Sequence, residues 1–404
     1  MNTPKIRFKG YTDAWEQRKL GEVFEQTSNF VMPNDDIELW SLTVEDGLTP
    51  KSERYKREFL VKKEDNFKEV RPGNIVYNPM NMTLGAVGYN GMAKSVAVSG
   101  YYTTMIAKDG YDSHYINTWL KSPQAILLYK NYATGTLIEK QRVQFPTLST
   151  IPASFPEYKE QKQIGECFAN LDNLITLHQR KCDSLNAVKK YMLQKMFPQN
   201  GAKVPEIRFK GFTGAWEQRK LSDEFSNFIV PMRDKPKEFG GNIPWTRIED
   251  IEGKYLNGTL SDQYVTEETV KKMNLKIIPK DSLIVSSSAT FGIVAVVTHD
   301  LITNQTFIGL VPNEKDTLDY WYAYFLSDEV RKYMRLQSAG STIFYIARES
   351  FENMPISIPS KKEMISIGKY FDNLDNLITL HQRKHDELKE VKKYMLQNMF
   401  PNKQ

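Results

Sequence analysis

The sequence predicts an α+β protein: two similar mixed α/β modules separated by two long, antiparallel coiled-coil helices in a pseudo-two-fold cyclic arrangement. Three observations predict this class. Residues 171–181 recur letter for letter as residues 374–384, 203 positions later. Residues 6–10 and 15–20 recur 201 positions later. The two stretches between these copies have similar lengths but differ almost throughout, so a copied frame carries two different modules.

The longer repeat is predicted to be a helix. Residues 164–199 and 367–402 share 27 of 36 positions, and their apolar residues recur at steps of four and three. Such a seam favours helix pairing, although an amphipathic helix lying on a domain surface has the same pattern. Pro198 and Pro401 end helices of roughly 40 residues, about 60 Å long. Ser360 and Glu363 suggest a capping box at the start of the second helix. The predicted pairing residues are Ile164, Phe168, Leu171, Ile175, Leu185, Met192, Ile367, Phe371, Leu374, Ile378, Leu388 and Met395.

The shorter repeat predicts a cyclic chain order. Residues 4–26 and 205–227 share 15 of 23 positions, and the second copy follows the first helix. The second helix ends the sequence, so the arm that would follow it is the N-terminal one. We therefore expect an N-terminal arm that completes the second repeat (1–24), a first module (25–158), a central helix and arm (159–225), a second module (226–361) and a C-terminal helix (362–404).

Both modules show the same faint order of elements. Strand-like runs occupy residues 73–77 and 97–105 in module 1, and 282–286 and 292–298 in module 2. Helical patterns follow at 113–129 and 315–334. A Gly-Thr or Gly-Ser-Thr turn and a short strand that ends in proline come next, at 151–156 and 354–359. The modules are therefore expected to share a fold and to differ on their surfaces.

Composition is that of an ordinary soluble protein, with 40% hydrophobic and 25% charged residues. A length of 404 residues suits two domains. The net charge of +5 permits nucleic-acid binding without requiring it. The two cysteines fall in one predicted helix, and no apolar signal core or membrane span is evident, so we expect a cytoplasmic protein with reduced thiols.

The motifs resemble a known family. Trp-Glu-Gln-Arg-Lys-Leu precedes each module, and Gly-(Ser)-Thr with a proline-ended strand follows it. The Leu-Asp-x-Leu-Ile helix and Lys-Lys-Tyr-Met-Leu-Gln before Phe-Pro complete the pattern in two copies. The chain thus resembles the specificity (S) subunit of type I restriction-modification systems over nearly its whole length. The second copy departs at residues 363–367, where the glutamine of the Glu-Gln lead is missing.

The resemblance implies a role and a set of partners. The modules would be target recognition domains that each read half of a bipartite double-stranded DNA site, and the helices would set the unread spacer. Helices and arms would dock two adenine methyltransferase subunits and two restriction/translocation subunits. S-adenosylmethionine, ATP and Mg are then expected on those partner subunits and no cofactor on this chain, which would be a non-catalytic subunit.

Motifs for catalysis are not recognisable in the sequence. Asn78-Pro79-Met80-Asn81 lacks the second proline and the aromatic residue that would hold a flipped adenine. A Gly-x-x-x-x-Gly-Lys-Ser/Thr phosphate loop is also missing from the sequence. His178, Cys182, His381 and His385 lie near the middles of the helices and could hold zinc if the middles meet. We favour a polar layer that fixes helix register, and predict no metal site.

Residues that could contact DNA are amides, hydroxyls, aromatics and cations in matching loops, the side chains that reach base edges and phosphates. The candidates are Asn78, Asn81, Thr83, Tyr101, Tyr102, Thr104, Thr136, Lys140, Gln141, Arg142, Ser286, Ser287, Ser288, Thr290, Asn304, Gln305, Thr306, Ser341, Thr342, Tyr345 and Arg348. Two other interpretations stay open on the sequence alone: the recognition subunit of another restriction-enzyme type, and a coiled-coil scaffold that does not bind DNA.

Overall fold

The computed structural model describes residues 3–45, 47–51, 66–135, 141–232, 235–287, 292–338 and 345–401. The chain forms two compact units. Unit 1 contains residues 1–178 and 383–404, and unit 2 contains residues 179–382. Each unit therefore holds one module, the first part of the helix that follows it and the last part of the other long helix. This chain order agrees with the predicted cyclic layout.

The first half of the chain contains ten strands and five α-helices among its described residues. They are β1 (Glu16–Lys19), α1 (Leu20–Val23), β2 (Phe24–Thr27), β3 (Trp40–Thr43), β4 (Gly47–Pro50), β5 (Phe67–Val70), β6 (Ile75–Tyr77), a 3-10 turn (Met82–Leu84), β7 (Val87–Tyr89), β8 (Val96–Ser99), β9 (Thr103–Ala107), α2 (Ser113–Leu120), α3 (Pro123–Tyr132), α4 (Phe145–Thr150), β10 (Pro152–Phe155) and α5 (Tyr158–Lys195).

The second half repeats the scheme over the part that the structure describes. Its elements are β11 (Glu217–Lys220), a 3-10 turn (Leu221–Asp223), β12 (Phe225–Ile229), β13 (Ile243–Thr246), a 3-10 turn (Ile248–Asp250), β14 (Tyr255–Leu256), β15 (Tyr264–Val265), α6 (Glu267–Met273), β16 (Leu283–Ser286), β17 (Val294–Val297), β18 (Ile302–Thr303), β19 (Phe307–Pro312), a 3-10 turn (Lys315–Thr317), α7 (Leu318–Leu326), α8 (Asp328–Gln337), α9 (Arg348–Glu352), β20 (Pro355–Ile358) and α10 (Lys361–Asn398).

The main sheets of the two modules have the same strand order. Module 1 has β2-β9-β6-β7, and module 2 has β12-β19-β16-β17 with β14 added at the edge. The register agrees as well, since Ile75 pairs with Met105 and Leu283 pairs with Leu310. The prediction of two similar α+β modules is confirmed. The modules differ around this sheet: β15-β13-β18 form a separate sheet in module 2, while module 1 has the pairs β3-β4 and β5-β8.

The predicted helices and strands within the modules are shorter than the sequence suggested. The run at 113–129 is two helices, α2 and α3, because Ser122 caps a new helix by accepting a hydrogen bond from the Ala125 amide. The run at 315–334 likewise breaks at Ser327 into α7 and α8. The predicted strand at 97–105 is two strands, β8 and β9, which are joined by a turn at Gly100–Tyr102 and belong to different sheets. The apolar periodicity of the sequence continues across these turns, so it did not indicate where one element ends and the next begins.

The two long helices, α5 and α10, each contain 38 residues, about 57 Å at about 1.5 Å per residue. In unit 1 the rings of Phe168 and Phe400 stack with centroids 6.1 Å apart, and Lys392 donates to Asp172. Residue numbers thus rise along one helix while they fall along the other, so the helices run antiparallel. In unit 2, Phe371 stacks on Phe197 with centroids 6.0 Å apart, which repeats the same register.

The helix seam is only partly a helix–helix seam. Ile164 and Phe168 lie in the core of unit 1 with Trp15 and Tyr115 from the arm and module, and Ile367 and Phe371 lie in the core of unit 2. Glycines allow this approach: a Cβ on Gly165 would lie 2.6 Å from the Tyr115 amide nitrogen, and one on Gly368 would lie 2.7 Å from that of Tyr320. The remaining predicted residues are buried or half-buried along the helices: Leu171, Ile175, Leu185, Met192, Leu374, Ile378, Leu388 and Met395.

The repeated arms join the long helices within each unit. The Ile6 amide donates to the carbonyl of Asn398 in unit 1, as that of Ile207 donates to Lys195 in unit 2. Farther along, β1 pairs with β10 and β11 pairs with β20, both antiparallel. Each arm therefore follows the end of one long helix and pairs with the strand that precedes the other.

Buried ion pairs fix each arm to the start of a long helix. Arg7 donates two hydrogen bonds of 2.7 Å to Glu160, and Arg208 donates bonds of 2.6 and 2.7 Å to Glu363. Both carboxylates are buried, and the bidentate geometry favours such burial. Hydrogen bonding to the carboxylate raises the pKa of each arginine. The sequence had assigned Glu363 to a capping box, whereas its carboxylate is occupied by Arg208.

Candidate nucleic-acid interface

Three loop segments of module 2 converge at the end of β16. The Ser287 amide donates to the carbonyl of Thr306 at 2.8 Å, which joins the loop after β16 to the turn before β19. The carbonyl of Ser287 in turn accepts a 2.8 Å hydrogen bond from the Ile346 amide. Ser287, Thr306 and Tyr345 are three of the sequence candidates, and the backbone brings their segments into one cluster.

Module 1 builds the same cluster at the end of β6. The carbonyl of Pro79 accepts a 2.9 Å hydrogen bond from the Val143 amide, which joins the loop after β6 to the segment that contains Arg142. The Asn81 amide donates to the carbonyl of Asn78, which closes that loop. Pro79 and Ser287 occupy equivalent positions, each two residues beyond the strand residue that pairs with Val87 or Val294. The two clusters therefore have one backbone framework.

Side chains at equivalent positions of the clusters differ. Tyr101, which is 91% exposed at the tip of the β8–β9 turn, corresponds in strand register to Thr306. Arg142, which is exposed, precedes Val143 as the exposed Tyr345 precedes Ile346. One scaffold thus presents different hydrogen-bonding groups in each module, a requirement for reading different sequences.

Three candidates are corrected by the structure because their side chains are buried in internal contacts. Thr104 is inaccessible, and its hydroxyl donates to the carbonyl of Thr27 at 2.7 Å. The Ser286 hydroxyl is buried and accepts a hydrogen bond from the Ile293 amide. Thr83 is buried in the 3-10 turn Met82–Leu84. All three side chains support the loops and cannot reach a ligand outside them.

The other candidates divide by exposure. Asn81, Tyr101, Arg142, Gln305, Tyr345 and Arg348 are exposed, while Asn78, Tyr102, Gln141, Ser287, Asn304 and Thr306 are partly exposed. Arg348 is paired with Glu352 at 2.6 Å. Thr136, Lys140, Ser288, Thr290, Ser341 and Thr342 lie outside the described residues.

Two apolar side chains of the module 1 cluster were missed by the sequence reasoning. Met80 and Leu84 are both more than half exposed on the loop after β6. Exposed apolar groups beside amides can contact the methyl group of thymine in the major groove. The signal in the sequence was their position between Asn78 and Gly85, within a loop that had been considered only for polar groups.

Burial also shifts the pKa values of two titratable side chains in module 1. Lys68 donates to the carbonyl of Tyr102 at 2.7 Å, next to the exposed tip of module 1, and burial lowers its pKa. Burial likewise raises the pKa of Tyr77, which lies beneath the module 1 loop. Within the described residues, no group of three or more His, Cys, Asp or Glu could hold a metal ion. No helix in that same part of the chain is long and apolar enough to cross a bilayer.

Cys182 and His385, two of the four residues near the middles of the long helices, contact groups of the helices. In unit 2 the Cys182 thiol, which is buried, donates to the carbonyl of Ile378 at 3.8 Å. In unit 1 the buried ring of His385 lies with its Nδ1 2.9 Å from the Asp386 carboxylate. Both residues contact groups of the helices themselves.

The fold and its two clusters define a class of protein: a duplicated module-and-helix chain that presents two unlike loop surfaces on a copied frame. The chain belongs to the type I restriction modification DNA specificity domain family, whose model matches residues 12–187 and 214–390. The two matched segments contain one module each, with part of the arm before it and most of the helix after it.

Curated relatives are specificity subunits. The MjaIX specificity subunit of Methanocaldococcus jannaschii is 27% identical over 188 residues, 46% of this chain and 44% of the relative. The EcoprrI specificity subunit of Escherichia coli is 31% identical over 164 residues, 37% of this chain and 40% of the relative. Each matched stretch spans less than half of the relative's length.

Solved structures share the fold. The crystal structure of the type I restriction-modification S subunit from M. genitalium aligns over 100% of both chains with a TM-score of 0.58 and 15% identity. A chain from a study of complex assembly and conformational transition of a type I system aligns over 95% of this chain and 96% of its own, with a TM-score of 0.52 and 16% identity. At these identities the likeness shows the fold alone.

Proposed function

We propose that this chain is the DNA-recognition subunit of a type I restriction-modification enzyme, and that each module reads one half of a bipartite, asymmetric double-stranded site. One observation carries the proposal. The frame and the sheet order are copied, while the side chains on equivalent loops are not, as with Tyr101 and Thr306. A duplicated frame whose equivalent loops have different side chains fits a DNA target with two different halves.

The chemistry of the clusters suits DNA. Asn81 and Gln305 offer amides that can bond base edges, and Arg142 offers a guanidinium for phosphate or guanine. The exposed phenol of Tyr101 extends from module 1 as a further contact. These groups stand on loops held by strand ends, so a rigid scaffold positions them.

The long helices would set the unread spacer. Each begins in one unit and ends in the other, and each is about 57 Å long, about 17 base pairs at about 3.4 Å each. That length accommodates two short half-sites with a gap of about one helical turn. The spacer would then depend on helix length and be independent of which bases the modules read.

Catalysis would belong to partner subunits. The helices expose the same four apolar side chains in each unit, a set that we call the helix patch. In unit 1 the patch is Leu174, Leu177, Val391 and Tyr394, and in unit 2 it is Leu377, Leu380, Val188 and Tyr191. Two identical patches suit two identical partners, and exposed apolar side chains mark interaction sites. We assign them to two adenine methyltransferase subunits, which would bind S-adenosylmethionine. Two restriction subunits, which would use ATP and Mg, would join that complex.

The proposal is tested by mapping N6-methyladenine in DNA from cells that express a methyltransferase partner with and without the full chain. The chain is expected to direct methylation to one split site with unlike halves and a constant gap. A second arm uses a chain in which Asn81 and Arg142 are changed to Ala. This variant should weaken recognition of the half-site read by module 1 and so reduce methylation of the whole site. Methylation that is unchanged by the chain, or that falls on a continuous site, contradicts the proposal.

A further inference from the structure

Helices α3 and α8 occupy equivalent places in the two modules, each beside a glycine at which a loop returns to the sheet. The loop after β6 ends at Gly85 and the loop after β16 ends at Gly292, and we call these two loops the reading loops. The Ile126 amide donates to the carbonyl of Ser122, and the Arg331 amide donates to the carbonyl of Ser327. Ile126 and Arg331 therefore lie at the same position, four residues after the serine at which each helix starts. The repeat thus places an apolar residue in module 1 where module 2 has a cation.

Both residues lie against a glycine that ends the reading loop. Gly85 has φ 92° and Gly292 has φ 91°, so the two loops return to the sheet in the same left-handed conformation. A Cβ on Gly85 would lie 3.4 Å from Cδ1 of Ile126, whereas one on Gly292 would lie 2.7 Å from Nε of Arg331. The guanidinium of Arg331 is therefore held directly against the end of the module 2 loop.

This guanidinium lacks a balancing anion in the protein where the structure can be described. Its Nε is buried without a hydrogen bond, and Arg331 takes part in none of the ion pairs formed among the described residues. Arg335 lies one turn farther along the same face of α8 and adds a second positive charge. The neighbouring Lys332 differs, since it donates to the side chain of Asn200. A cation held at low exposure is favoured by an anionic ligand.

We infer that Arg331 binds a backbone phosphate of the DNA half-site read by module 2, and that module 1 lacks this contact because it has Ile126. The inference rests on the proposed function. A phosphate fits better than a base, since Arg331 lies against Gly292 at the end of the loop, and the exposed Gln305 and Tyr345 would reach the bases. The two half-sites would then differ in salt dependence as well as in sequence.

The test measures DNA binding by the full chain in its methyltransferase complex, on a duplex with the mapped site, over a series of salt concentrations. Arg331→Ile installs the residue of module 1. It is expected to make the negative slope of log K against log salt shallower by about 0.9. Arg331→Lys keeps the charge and should retain the slope. Lys332→Ile removes a cation from the same helix and should leave the slope unchanged. The reciprocal change, Ile126→Arg, should make the negative slope steeper.

Several results would overturn the inference. An unchanged slope in Arg331→Ile, or an equal loss in Arg331→Lys, would assign Arg331 a structural role. Loss of discrimination at a single base pair, with the slope retained, would assign it to base reading. These failures leave the proposed function intact if the unmodified complex still prefers the mapped duplex over a scrambled one. An unmodified complex without that preference would overturn both proposals.

Discussion

Asp375 accepts a hydrogen bond from the ammonium group of Lys189, and this pair is the copy of Asp172 and Lys392 in the other unit. The two pairs differ in burial. The side chains of Lys189 and Asp375 are 15% and 18% exposed, against 28% and 47% for Lys392 and Asp172. One helix–helix contact therefore exists twice in the chain in different surroundings.

The first prediction uses that difference. Asp375→Asn leaves the Lys189 ammonium partly buried without an anion, and should destabilise unit 2 by about 2 kcal/mol. Asp172→Asn acts on a more exposed pair and should cost less than about 1 kcal/mol. Thermal unfolding of the full chain measures both, and each variant is the matched control for the other. Equal shifts would show that burial does not decide the strength of the pair.

The second prediction concerns Lys121, which lies near Asp172 and Lys392 in unit 1. Burial and the positive charge of Lys392 lower the pKa of Lys121 to about 8, although Asp172 opposes them. The folded chain thus binds fewer protons than the unfolded chain between about pH 8 and 10.4, so stability from this group rises with pH through that window. Below about pH 8 the charged lysine destabilises the fold.

Lys121→Met should therefore increase the free energy of unfolding at pH 7 by roughly 1–3 kcal/mol, and by less at pH 9.5. The change is measured as a higher unfolding temperature. The difference between the variant and the unmodified chain removes the effect of other titrating groups. Lys130→Met, an exposed change on α3, is the control and should alter neither value much. A Lys121→Met variant that is less stable at pH 7 would mean that the charge of Lys121 stabilises the fold.

The third prediction tests the helix patch. Leu177→Glu and Leu380→Glu each place a charge in one copy, at side chains that are already about half exposed. Each single variant should bind one methyltransferase subunit and the double variant none, because a buried unpaired carboxylate is costly in an apolar contact. Light scattering of the purified complexes gives the stoichiometry, and unchanged unfolding temperatures confirm folding. Two bound partners in the double variant would exclude the patch as the docking surface.

The fourth prediction concerns the spacer. Seven residues inserted near the middle of both α5 and α10 preserve the apolar seam and lengthen each helix by about 10.5 Å. The unread gap should grow by about three base pairs at about 3.4 Å each, while both half-sites stay the same. The same seven residues inserted in the connector at 199–204 serve as the control. A constant gap in the helix variant would rule out the helices as the ruler.

Local repetition made the frame predictable. The seam from Ile164 to Met192 and its copy indicated long helices, and the arm repeat indicated a cyclic order, because both depend on residues close in sequence. The Arg7–Glu160 and Arg208–Glu363 pairs were not predictable, since 153 and 155 residues separate the partners. Their nearly equal separation in the two copies was the one available signal.

The reading surfaces were harder to predict. Polar residues near the ends of strands were chosen as candidates, yet Thr104 and Ser286 are buried, because consecutive residues of β9 and β16 are covered on both faces of the sheet. Arg331 was missed since it lies on a helix, and its equivalence to Ile126 follows from the serines that begin the two helices and from the two glycines. Periodicity predicts which elements form, whereas exposure of a given side chain depends on contacts from distant segments.

The central claim is that each module reads one half-site independently. Replacing residues 226–361 with a copy of residues 25–158 tests it most directly, by mapping methylated adenines in cells that carry the variant and the methyltransferase partner. The predicted target is symmetric: the half-site of module 1 appears twice as an inverted repeat, with the spacer unchanged. A target that keeps both original halves, or loses both, would contradict the claim.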